Sequence, residues 1–131
     1  MKKTLLMISI IAMSVVAVAQ GNLQFNQVKR LTYSGSLTVG TNTVSSVTVP
    51  ANKVWKIESG SITSNDRPFY YFNLMVDGQI LWAQATSGVV PVAYTPIWLG
   101  AGTYNISANN AAGSAYPYNV VISAIEFNVI P

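Results

Sequence analysis

Outside its first 19 residues the chain contains no stretch in which apolar residues recur with the 3.6-residue period of a helix. Short runs with apolar residues at alternate positions recur instead, rich in Val, Ile, Thr, Tyr and Trp and separated by Gly, Pro and Asn. A period of two makes a strand with one face inward and one outward. It predicts strands at 27–39, 43–49, 53–63, 69–76, 79–86, 89–99, 103–109 and 118–130, the first broken near Ser34-Gly35. There is no Cys, so burial rather than covalent stapling must hold such strands together. Residues 20–131 are long enough to bury around two-thirds of their unfolded surface in one core. The expected fold is all-β: a single antiparallel β-sandwich of two sheets, in jelly-roll or related topology, with about eight strands. An immunoglobulin-like order fits the same pattern, because periodicity does not order strands.

Residues 1–19 have a different character. Lys2 and Lys3 precede the apolar run "LLMISIIAMSVVAV", and Ala17-Val18-Ala19 supplies a small-x-small cleavage site. The apolar stretch falls short of the roughly 20 residues needed to span a bilayer, so it reads as a cleaved signal peptide rather than an anchor. The domain expected to remain is 20–131. The chain's formal charge of +3 includes Lys2 and Lys3; beyond them Lys29, Arg30, Lys53, Lys56 and Arg67 nearly balance Glu58, Asp66, Asp77 and Glu126. Such a surface has no basic stripe for phosphates, so nucleic acid is not an expected partner. No second long apolar run follows, so no membrane anchor is expected once the leader is removed. Without Cys there is no acylation site either. The expected location is the extracellular space, the cell surface or the periplasm.

Two stretches share a local device. "VPANKVWKI" (49–57) and "LGAGTYNI" (99–106) pass from an apolar residue through Pro or Gly, Ala, and Asn or Gly into a strand that opens near an aromatic. Both read as sheet corners, with Trp55 and Ile57, and then Tyr104, Ile106 and Ala108, on the core face. Together with "MVDGQILW", "AIEFNVIP" and the "AVAQ" cleavage site, these segments make the chain resemble small Sec-exported β-sandwich proteins common in Bacteroidota. The resemblance implies a fold and export, and no activity.

Asp77-Gly78 signals a two-residue hairpin loop, since a type I′ turn needs positive φ at both central positions. A regular ladder from that loop places Tyr70/Ala85, Phe72/Ala83, Leu74/Leu81 and Val76/Gln79 on a core face. Phe69/Thr86, Tyr71/Gln84, Asn73/Trp82 and Met75/Ile80 then fall on an outer face. Phe69, Tyr71, Asn73, Met75, Ile80, Trp82 and Gln84 are therefore the candidate binding residues, because so apolar a face exceeds what soluble monomers leave bare. Three occupants fit it. One is the chain itself, through residues 21–30 or 87–96; another is a second subunit or other surface protein. The last is a glycan, stacked on Tyr71 and Trp82 and bonded by the amides. The strand at 118–130 is apolar at both parities for half its length, so it is expected either to be central and covered, the favoured position, or to pair with another molecule. The stretch "NNAAGSAYPY" (109–118) reads as an exposed loop whose Tyr116 and Tyr118 are weaker candidates.

The chain has no His and no Cys, which removes the usual general base, the thiol nucleophile and most transition-metal sites. Asp77 is committed to the turn, Glu58 and Glu126 alternate with apolar residues and are expected to face outward, and Asp66 beside Arg67 reads as a solvated turn pair. No catalytic residue, metal or cofactor is expected. The functional expectation is a secreted, non-catalytic structural or adhesive protein acting through self-association or contact with another surface protein. A lectin-like carbohydrate-binding module is the alternative.

Overall fold

The computed structural model describes residues 22–64, 72–83 and 92–130. Nine strands are present among them: β1 (Asn22–Leu37), β2 (Gly40–Val49), β3 (Lys53–Thr63), β4 (Phe72–Val76), β5 (Gln79–Ala83), β6 (Val92–Ala93), β7 (Ile97–Leu99), β8 (Gly102–Asn110) and β9 (Tyr116–Ile130). They form two antiparallel sheets, one in the order β1-β9-β3-β7 and the other β2-β8-β4-β5-β6. Consecutive strands share a sheet only along β4-β5-β6; every other connection crosses from one sheet to the other. That winding is a jelly roll with one added short strand, β6.

The core is filled from both sheets by alternate residues. Val120, Ile122 and Ala124 of β9 and Trp55, Ile57 and Ile62 of β3 meet Phe72, Leu74 and Val76 of β4, Leu81 of β5, and Ile106 and Ala108 of β8. β9 lies between β1 and β3, the central position that its two-sided apolar pattern favoured. The two corner sequences do carry the chain between sheets, at 50–52 from β2 to β3 and at 100–101 from β7 to β8. In the first, Lys53 N–H donates to the Pro50 carbonyl (3.0 Å); in the second, the Tyr104 hydroxyl donates to the Gly100 carbonyl (3.1 Å).

Several boundaries differ from expectation. β1 runs unbroken through Ser34 and Gly35, because Gly35 is the cross-strand partner of Tyr118, whose ring lies across it. A Cβ at position 35 would stand 3.0 Å from Tyr118 Cε1. The expected strand at 89–99 divides into β6 and β7, which belong to different sheets, and residues 89–91 lie outside the described residues. The chain crosses at 94–96, where the Thr95–Pro96 peptide bond is cis. The expected loop at 109–118 contracts to 111–115. Asn110, fully buried, organises it by donating to the Leu37 and Ser114 carbonyls (3.1 and 2.9 Å) and accepting from Ala112 N–H (2.9 Å).

The hairpin turn has the expected conformation, with φ of 51° at Asp77 and 80° at Gly78. Its ladder does not stay regular. Val76 pairs with Gln79 and Met75 with Ile80, but Leu74 pairs with Trp82 and Asn73 with Ala83, leaving Leu81 as an inserted residue. A bulge lets neighbouring residues lean towards the same side, which a regular strand forbids. Here Leu81 is fully buried and Trp82 packs half-buried against the core.

Candidate interaction surface

The bulge changes the outer face expected of the hairpin. Trp82 does not pair with Asn73 and is spent partly on the core, while Asn73 and Met75 are half-buried and Ile80 is exposed. Phe69, Tyr71 and Gln84, the remaining candidates there, lie outside the described residues. Residues 22–30, one of the segments expected to cover this face, run in the opposite sheet instead. Tyr116 and Tyr118 are not loop residues. They open β9, with Tyr118 buried over Gly35 and Tyr116 half-buried, edge-on to Phe72 at 6.3 Å between ring centroids.

Glu58 faces outward as expected, paired with Lys56 at 2.7 Å. Glu126 does not. It occupies the core parity of β9, opposite Gln27 on β1 and Trp55 on β3, and is 3% exposed. Its Oε1 accepts from Asn26 Nδ2 (2.6 Å) and Gln27 Nε2 (2.8 Å), and its Oε2 from Trp55 Nε1 (2.7 Å) with Lys29 Nζ at 3.3 Å. Two successive side chains of β1 reach one oxygen because the register shifts between Phe25 and Gln27. Burial by itself would raise the Glu126 carboxyl; the donors from Gln27, Trp55, Asn26 and Lys29 outweigh it and hold the group at about 2. Lys29 Nζ also stands 5.0 Å from the Trp55 ring centroid. The cluster has the properties of a clasp between strands rather than of a catalytic carboxylate, because every oxygen is already saturated. Among the described residues no group of three His, Cys, Asp or Glu could hold a metal ion.

Among the described residues the most exposed apolar surface lies elsewhere, on the outer face of the β1-β9-β3-β7 sheet. Strand pairing sets its rows. Leu23 stands beside Val129; Phe25, Phe127 and Val54 form the next row; Val28, Ile125, Lys56 and Trp98 form the third. Phe25 is 59%, Val28 64%, Trp98 51%, Leu23 45% and Val129 40% exposed, while Val54, Ile125 and Phe127 are half-buried between them. Trp98 leans over β3 to stack on Phe127, with centroids 5.8 Å apart and planes 30° apart, and Lys56 Nζ stands 5.7 Å from the Trp98 ring. The exposed parts amount to an apolar patch of roughly 500 Å², at the upper end of what soluble monomers leave bare. Beyond the third row the same face becomes more polar, with Arg30, Ser123 and Ser59 in one row and Thr32 and Ser61 flanking Val121 in the next.

Only part of this surface is legible in the chain's periodicity. Val121, Ile125, Phe127 and Val129 share one parity of β9, but the expectation that Glu126 faces outward would have put that parity inside. The alternation Leu23-x-Phe25 was visible too, but it falls before the position at which the first strand was expected to begin. Trp98 carried no signal, since a three-residue strand is too short to show a period.

No family model matches the chain, and no curated protein matches it. Among solved structures it is similar to a chain in the cyanophage Pam1 capsid asymmetric unit, at 20% identity, with a TM-score of 0.40, over 82% of this chain and 90% of that one.

Proposed function

We propose that this is a secreted, non-catalytic structural or adhesive protein that works by self-association or by contact with another protein. The observation that carries this reading is the apolar block on the outer face of the β1-β9-β3-β7 sheet, where Phe25, Val28 and Trp98 are each more than half exposed. Leaving that much apolar surface in water costs free energy that a docked partner recovers. The described acids support a role without catalysis: Glu126 is saturated by donors, Asp77 sits in the turn and Glu58 is paired with Lys56.

A glycan platform has less to stand on. Trp82 rests against the core, and the three apolar rows contain one ammonium group and no side-chain amide to bond sugar hydroxyls. The test is Trp98→Arg, a change at an exposed ring that leaves the core untouched. The expected result is an unchanged melting temperature, together with a shift from an associated to a free fraction when extracts of the producing cells are sedimented. Unchanged sedimentation in both Trp98→Arg and Phe25→Glu would count against this surface.

A further inference from the structure

Resting on that reading, we infer that the partner of the β1-β9-β3-β7 face is a second copy of this chain, docked face to face about a two-fold axis parallel to the strands. Three observations favour a copy over a foreign partner.

Lateral order is the first. The face runs β1-β9-β3-β7, with Phe25 and Val28 on one flank and Trp98 on the other. A two-fold axis between β9 and β3 lays β1 over β7 of the second copy and β9 over β3. Val28 and Trp98 share a row, so that axis brings Val28 onto Trp98 of the other copy, and Trp98 onto its Val28. This is the reciprocal contact that a two-fold interface requires. Strand directions are preserved, which suits the aligned packing of stacked sheets at about 30°.

Charge is the second. Lys56, the one cation inside the block, is neutralised by Glu58 at 2.7 Å, so the block itself carries no net charge to attract an acidic or basic partner. Arg30 lies one row further, on β1. The proposed axis puts the two Arg30 residues on opposite flanks of the assembly, so docking forces no like charges together.

Area is the third. A stable interface buries about 800 Å² on each partner, of which some 60% is apolar. The roughly 500 Å² of apolar surface here is close to that share.

The experiment uses the protein purified from the cells that make it, and those cells themselves. Light scattering across a range of concentrations should give a mass of two chains. Trp98→Arg and, independently, Val28→Glu should each raise the dissociation constant by roughly 30-fold or more. Ile80→Arg, at an exposed apolar position on the other sheet, should leave the mass unchanged. A photo-crosslinking side chain in place of Val28 should yield, inside the cells, an adduct of twice the chain mass joined at the peptide that contains Trp98. A monomer at every concentration overturns the inference. An adduct to a different polypeptide overturns it too while leaving the proposed function standing, and the absence of any protein adduct removes both.

Discussion

Glu126 shows how a single residue can reverse its expected place. By alternation with its apolar neighbours it belongs outside; in the fold it sits on the core parity of β9, because four donors from β1 and β3 converge on its oxygens. Its pKa falls from 4.5 to about 2, so the folded state holds a carboxylate that the unfolded chain protonates more readily. Stability from this group is present above pH 4.5 and is lost as the pH drops towards 2, on the order of 3 kcal/mol in all. Melting temperature followed from pH 6 to pH 2.5 should therefore fall more steeply in the natural chain than in Glu126→Gln. Equal slopes would place the acid sensitivity elsewhere. Gly60 is constrained by space rather than by charge. A Cβ there would stand 2.3 Å from Leu81 Cδ2 and 3.2 Å from Leu74 Cδ2, both fully buried and unable to withdraw. Gly60→Ala should cost about 1 to 3 kcal/mol in denaturant unfolding, and a change below a few tenths would mean that the two sheets separate more easily than this packing implies.

Among the elements, β5 and β7 give the two clearest tryptophans opposite roles. Trp82 on β5 follows an inserted residue and packs against the core; Trp98 on β7 stands on the outer face of the other sheet. Trp82→Arg should therefore destabilise the fold by about 1 to 3 kcal/mol through lost packing. Trp98→Arg should change stability little and association much. Thermal melts of the two variants side by side separate these roles, and a Trp82→Arg variant as stable as the natural chain would argue for a regular ladder in this hairpin. The turn itself was legible, because Asp-Gly at 77–78 meets the positive-φ demand of a tight hairpin loop. The bulge four residues later was not. It answers to Leu81 entering the space over Gly60 in the facing sheet, a contact between residues about 20 positions apart in sequence that no local pattern encodes.

At the scale of the whole molecule, the jelly-roll winding brings the first and last strands side by side, β1 against β9, and so gathers Leu23, Phe25 and Val28 from one end of the chain with Ile125, Phe127 and Val129 from the other. That juxtaposition makes the apolar block, and with it the expectation that Trp98→Arg or Val28→Glu reduces a two-chain particle to single chains. The class of fold was legible in the chain alone, since a period of two with Gly, Pro and Asn punctuation admits strands and little else. The hairpin turn and the two corners between sheets were legible too, and the central position of β9 was favoured over pairing with another molecule, because each depends on residues adjacent in the chain or on one strand's own two faces. Tertiary structure alone decided strand order, the inward turn of Trp82 and Glu126, and which sheet face remains open. Those outcomes depend on pairing between distant segments and on the space left by facing side chains, and such interactions leave no trace in local periodicity.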